Sequence, residues 1–137
     1  MNEKLPNVGT AVFILKDGRV LLGKRISSHG RGSWHPPGGY LEMFETGEEC
    51  VVREAKEETG LDIGSVRFIT ATNDMFKAEG KHFVTLHYAA EWKGGRVENR
   101  EPDKHEGWDW FEWNRLPRPL FLPVSNFVAG GYNPLTV

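Results

Sequence analysis

Between Arg53 and Leu61 the chain reads REAKEETGL, which places Glu54, Glu57 and Glu58 in a five-residue span. Wound as a helix they fall within about two turns, and like charges three and four residues apart weaken a helix by roughly a few tenths of a kcal/mol per pair. A surface helix tolerates that but gains nothing from it. Arg53, four residues before Glu57, offsets one charge and not three. Oxygen-only donors suit a hard divalent ion, and Mg²⁺ typically takes one or two carboxylates together with substrate phosphates. The competing reading is a solvated acidic face with ordinary i,i+4 pairs, and the helix alone leaves both open.

The element that must carry these side chains is well marked. Thr46 stands as an N-cap with Glu49 three residues on, a capping box, and Gly60 is a C-terminal stop. At about 100° per residue, Val51, Val52, Ala55 and Thr59 form an apolar arc, with Glu49, Arg53 and Lys56 roughly opposite. The three glutamates fall between, Glu58 nearest the buried side. They therefore line the edge of the core, where partial desolvation makes crowded negative charge more costly and calls for a cation. Cys50, the single cysteine, sits among Val51, Val52 and Ala55 and reads as a small buried apolar residue. No internal disulfide can form, which suits a reducing compartment.

Around this helix the elements follow from turn chemistry and alternation. VGTAVFILKDGRVLLGKR reads as two strands about the Asp17-Gly18 hairpin turn. ISSHGRGSWHPPGG reads as loop throughout, because Gly30, Gly32, Pro36, Pro37, Gly38 and Gly39 break regular structure. VRFITATNDMF and HFVTLHYAAEW are strands divided by KAEGK, GGRVENREPDKHEG is a long polar loop, WDWFEW is a strand, and a short helix or turn closes the chain. The expectation is one α+β domain over residues 1–137, with a mixed sheet and at least one long helix.

Composition excludes several function classes. Lys and Arg number 17 against 19 Asp and Glu, a net charge of -2, which argues against a nucleic-acid polymer bound through its backbone charge. No apolar run approaches membrane-spanning length, and the N-terminus lacks the pattern of a signal peptide. The expectation is a cytoplasmic protein.

The flanks of the helix decide between cation site and solvated face. The full run, Gly39-YLEMF-Glu45-TGEECVV-Arg53-Glu54-Ala55-Lys56-Glu57-Glu58-Thr59-Gly60-Leu61, resembles the Nudix box G-x5-E-x7-R-E-U-x-E-E-x-G-U, with every fixed position in register over residues 39–61. The resemblance implies a Nudix fold, with a mixed sheet between helices and the box as loop-helix-loop. It implies hydrolysis of a phosphoanhydride bond in a nucleoside diphosphate linked to another moiety. Glu54, Glu57 and Glu58, helped by the Gly38 carbonyl, would hold Mg²⁺, with Mn²⁺ as a substitute. Arg53 would orient the carboxylates and Glu45 would brace the loop.

LLGKR, PPGG, and EPDKHEGWDWFEW followed by LPRPLF are similar to the MutT-type nucleoside triphosphate pyrophosphohydrolases, which release a monophosphate and pyrophosphate and commonly form homodimers. On that likeness Glu57 and Glu106 are the candidate bases, Glu106 lying in the long loop. Arg25, at the end of a strand with Lys24, would contact phosphate. Trp34, His35, Phe83, Thr85, Trp108, Phe121 and Leu122 are candidates to enclose the base, Thr85 foremost. His82, His87 and His105 lack metal-ligand spacing and read as structural or surface residues. Two departures bear on the base: Pro36 precedes Pro37 where a leucine is common, and Phe44 precedes Glu45 where glycine is frequent. The alternatives are a hydrolase of dinucleotides or nucleotide sugars and a non-catalytic nucleotide-sensing domain.

Overall fold

A computed structural model describes residues 4–136; the remainder of the expected 1–137 span lies outside the described residues. Six strands form one mixed sheet. β1 (Asn7–Lys16) and β2 (Arg19–Arg25) meet at Asp17 and Gly18, both with positive φ, which is the hairpin geometry an Asp-Gly pair prefers. Only Leu15 and Lys16 of β1 pair with β2. Beyond them β2 leaves to pair along its length with β6 (His105–Glu112). β1 instead runs parallel to β5 (Lys81–Trp92), and β5 is antiparallel to β4 (Ile63–Phe76).

The sheet is covered on both faces, so β1 is apolar on both. Val12 and Ile14 point to one layer with Val51, Ala55 and Leu61 of and beside α1 (Gly47–Thr59); Phe13 and Leu15 point to the other with Val124 and Phe127 of α2 (Leu122–Ala129). Alternation along a strand sends neighbours to opposite faces, and here both faces are core. The mixed sheet between helices expected from the sequence is what is found.

α1 starts and stops where the sequence places it. The Glu49 amide donates to Thr46 Oγ1 at 3.1 Å and the Thr46 amide to Glu49 Oε1 at 2.8 Å, while Gly60 closes the helix at φ 77°. Its buried face consists of Cys50, Val51, Ala55, Glu58 and Thr59. Val52 is a correction: it is 42% exposed, because a further step of about 100° from Val51 carries it past the sheet edge.

Two other expectations change. Trp34–His35 is not loop but a short strand, β3, antiparallel to Gly23 and Lys24. The prolines and glycines around it confine the strand to two residues without preventing it. His105 to Gly107 belongs to β6 and not to the preceding loop, since Arg25 pairs with His105 across a bulge in β2. Among the described residues no helix is long and apolar enough to cross a membrane.

Candidate active site

The early departure of β2 leaves the edge of β1 open from Thr10 to Val12, and the loop after β3 fills it. Val12 N–H donates to the Pro37 carbonyl at 2.9 Å and Thr10 N–H to the Gly39 carbonyl at 2.7 Å. This threads Gly38-Gly39 between β1 and α1. A Cβ on Gly38 would overlap the Thr10 carbonyl, and one on Gly39 would overlap the Glu54 carboxylate. Glycine is required at both positions by space.

Three charged side chains lock the loop to the helix. Arg53 Nε donates to Glu45 Oε2 at 2.7 Å and Nη2 to Glu45 Oε1 at 3.0 Å, a two-pronged pair, while Nη1 donates to Glu54 Oε1 at 2.7 Å. The Arg53 hydrogen bond holds the Glu45 carboxyl down at about 2. Glu54 is displaced the other way, to about 7, by burial first and by the neighbouring Glu57. Glu58 is 3% exposed, and burial pushes its carboxyl well above the usual range against a hydrogen bond from the Gly38 amide at 2.9 Å. The cluster is short of positive charge: Arg53 is shared among Glu45, Glu54 and Glu57, and Glu58 is not one of its partners.

Glu58 has neighbours that the sequence reading did not supply. His105 Nε2 lies 3.4 Å from Glu58 Oε2, and ligand atoms of Glu58, Glu101 and His105 all lie within 4.8 Å of one another, a group able to hold a metal ion. Burial lowers His105 to about 4, so its ring is neutral and free to act as a nitrogen donor. The carboxylate oxygens fit a hard divalent cation such as Mg²⁺, and one imidazole is also compatible with Mn²⁺. Raised carboxyls that lack a compensating charge are the local sign that a cation belongs here.

Two cavities share the wall Arg25, His35, Gly38, Gly39 and Tyr40. The smaller, about 150 Å³, is lined by Phe83, Thr85, Phe121 and His29 among others. That is well under the roughly 300 Å³ at which pockets begin to enclose drug-sized molecules, and suits a single ring system. The larger, about 400 Å³, carries Arg53, Glu54, Glu58, Glu101, Lys104 and His105.

The sequence candidates divide accordingly. Gly38, Arg25 and His35 line both cavities; Arg53, Glu54 and Glu58 line the larger; Thr85, Phe83 and Phe121 line the smaller. Arg25 is held rather than free, its Nε donating to the His29 carbonyl at 2.9 Å and its guanidinium 4.1 Å from the Phe121 ring centre. His35 is buried, and burial followed by Arg25 keeps its ring neutral.

Others are not brought in. Glu57 is half-exposed and held by Arg53 at 3.3 Å, lining neither cavity. Glu106 projects from β6 with 62% exposure and pairs with Lys24 at 3.6 Å. Trp34 packs against Phe111 in the core layer under α2, because strand alternation gives His35 the site and Trp34 the opposite face. Trp108 packs on His35 and His105 behind the cavities, and Leu122 opens α2 without lining them.

The residues missed were Glu101, His105, Lys104, Tyr40 and His29. EPDKHE holds the signal for the first three, but only the return of β6 beside β2 shows which of its acidic groups turns inward.

A family model described as the NUDIX domain matches residues 5–129. The chain belongs to the NUDIX domain family. Its fold is similar to that of a MutT NUDIX hydrolase from Burkholderia pseudomallei, with a TM-score of 0.83 and 34% identity over 92% of this Nudix chain and 96% of that one. An ADP-ribose pyrophosphatase from Methanocaldococcus jannaschii is 33% identical over 85% of this chain and 68% of its own length. An NAD-capped RNA hydrolase from Vibrio atlanticus is 32% identical over 77% of this chain, which spans only 37% of that relative. The Nudix domain here is a hydrolase domain in which the box helix supplies the acidic cluster.

Proposed function

We propose that the protein hydrolyses the pyrophosphate linkage of a nucleoside diphosphate joined to a second moiety, of the ADP-ribose or dinucleotide kind, with a divalent cation. The observation that carries this reading is the pairing of cavities: an aromatic-lined one for a single ring shares a wall with a carboxylate-lined one more than twice its volume, about 150 against about 400 Å³. The ADP-ribose pyrophosphatase likeness points the same way.

In this reading Glu54, Glu58 and the Gly38 carbonyl hold Mg²⁺, with Glu101 and His105 beside them. Bound there, such an ion would supply charge neutralisation for the phosphates and a lowered pKa for a coordinated water. Arg25 binds phosphate from the shared wall, and Arg53 orients Glu54 while Glu45 fixes Arg53. Glu54, beside that ion, would be the candidate to take a proton from the attacking water. Phe83 and Phe121 stack on the base.

A second reading, nucleoside triphosphate pyrophosphohydrolysis, is favoured by the likeness to the MutT NUDIX hydrolase. A Mg²⁺-supplemented comparison of ADP-ribose, NADH and the common triphosphates separates them by kcat/KM. ADP-ribose or NADH should exceed every triphosphate by about tenfold or more, one decade being about 1.4 kcal/mol of barrier. Turnover confined to triphosphates, with label from ¹⁸O-water in the monophosphate, would establish the second reading instead.

A further inference from the structure

Behind the smaller cavity lies a carboxylate that the hydrolytic site does not use. Asp74, on β4, is fully buried. Its Oδ2 accepts from Thr85 Oγ1 at 2.5 Å and from Thr72 Oγ1 at 3.1 Å, and its Oδ1 accepts from Asn126 Nδ2 at 2.9 Å. A carboxylate is acceptor-only and each hydroxyl owns a single proton, so the Thr85 proton is committed to Asp74.

Thr72 provides an internal check on these directions. Its Oγ1 also lies 2.8 Å from His87 Nε2. Burial lowers His87 to about 4, so the ring is neutral and carries one N–H. With the Thr72 proton on Asp74, His87 must donate Nε2–H to Thr72, leaving Nδ1 bare. Nδ1 is the buried His87 atom without a partner. An acceptor left over is tolerated better than a stranded N–H. Every proton in the network therefore runs toward Asp74.

The consequence falls on the cavity. Thr85 is 5% exposed and lines it, while Phe83, Phe121 and Tyr40 supply ring faces that are indifferent to hydrogen-bond polarity. A free hydroxyl would rotate to donate or accept; this one offers only lone pairs. We propose that Thr85 is a specificity-determining residue that selects a base presenting an N–H donor, an exocyclic amine above all, and that Asp74 is the positioning residue that fixes the polarity of the Thr85 hydroxyl. The proposal rests on the reading of the smaller cavity as the base site. Satisfying Asp74 alone would not require one of its donors to lie on the cavity wall.

The test is calorimetric binding of 5′-monophosphates in pairs that differ by one amino group: adenosine against purine riboside, guanosine against inosine, and cytidine against pyrimidin-2-one riboside. In the pair whose ring fits, the amino member should bind about tenfold more tightly, the worth of one net hydrogen bond. Thr85→Val should erase the difference and Thr85→Ser should keep it, with melting curves showing both folded. Asp74→Asn, which replaces an acceptor-only group with one that also donates, should shrink it. Absence of amino preference in every pair, its survival in Thr85→Val, or an unchanged ratio in Asp74→Asn overturns the proposal. Hydrolysis is scored separately. An enzyme that cleaves ADP-ribose without amino preference refutes this inference and keeps the reading above; Thr85-dependent preference without ADP-ribose or NADH cleavage does the reverse.

Discussion

Arg53 Nε meets Glu45 Oε2 at 2.7 Å, and the same guanidinium reaches Glu54 Oε1 at 2.7 Å. One side chain thus ties the loop before α1 to a carboxylate of the acidic cluster. Groups that orient metal ligands typically change metal affinity or activity by about 10–100-fold when removed. Glu45→Gln, which removes the charge but keeps the shape, should raise the Mg²⁺ concentration for half-maximal activity by about that factor. A titration of activity against Mg²⁺ measures it; an unchanged midpoint would reduce Glu45 to a loop brace.

The carboxylates make the metal-free protein sensitive to base. Burial raises Glu58, and raises Glu54 to about 7, above their unfolded values. A raised acid is ionised more readily in the unfolded chain, so stability falls as pH climbs from the unfolded carboxyl range toward and past 7. His87 and His105, both lowered to about 4, act in the opposite sense as pH falls below the usual histidine range. The readout is therefore a difference. In EDTA, Glu58→Gln should melt higher than the parent at pH 8, with the gap closing toward pH 5 and narrowing when Mg²⁺ is added to both. The same variant should lose about a hundredfold or more in kcat, which is about 2.7 kcal/mol of barrier.

Arg25 is gripped through geometry that lysine cannot copy. Its Nε–H reaches the His29 carbonyl and its plane lies over Phe121. Arg25→Lys keeps the charge but loses both. KM should rise about tenfold, equivalent to about 1.4 kcal/mol, with kcat within about a factor of two. Steady-state kinetics on the best substrate decides; a fall in kcat with KM unchanged would assign Arg25 to the transition state.

Phe44 sits at φ 64° in the turn closed by the Glu45 amide on the Glu42 carbonyl at 3.1 Å, and its side chain is 98% exposed. Left-handed backbone costs an L-residue roughly 1–2 kcal/mol, while glycine loses roughly 0.5–1 kcal/mol more chain entropy on folding. Phe44→Gly should therefore stabilise the protein by up to about 1 kcal/mol, a rise of a few degrees in Tm. A lower melting temperature would mean that the exposed ring is held by something the turn geometry does not reveal.

Much of this protein is local and therefore legible in its sequence. The capping box at Thr46 and Glu49, the stop at Gly60 and the Asp17-Gly18 turn depend on neighbours within four residues, and each appears where expected. The register of Gly39, Glu45, Arg53, Glu54 and Glu58 is legible through the resemblance to the Nudix box, and the structure joins these residues as loop and helix. Tertiary structure decided what local spacing cannot encode. Whether Trp34 or His35 faces the cavities depends on which partner β3 finds on β2, and a two-residue strand carries no periodicity of its own. Whether Glu101 or Glu106 meets Glu58 depends on where β6 begins, which is set by the pairing of His105 with Arg25. In the sequence Asp74 falls within the strand VRFITATNDMF with nothing to single it out. Only the meeting of β4, β5 and α2 buries it among Thr72, Thr85 and Asn126, and burial is what turns a carboxylate into a director of its neighbours' protons.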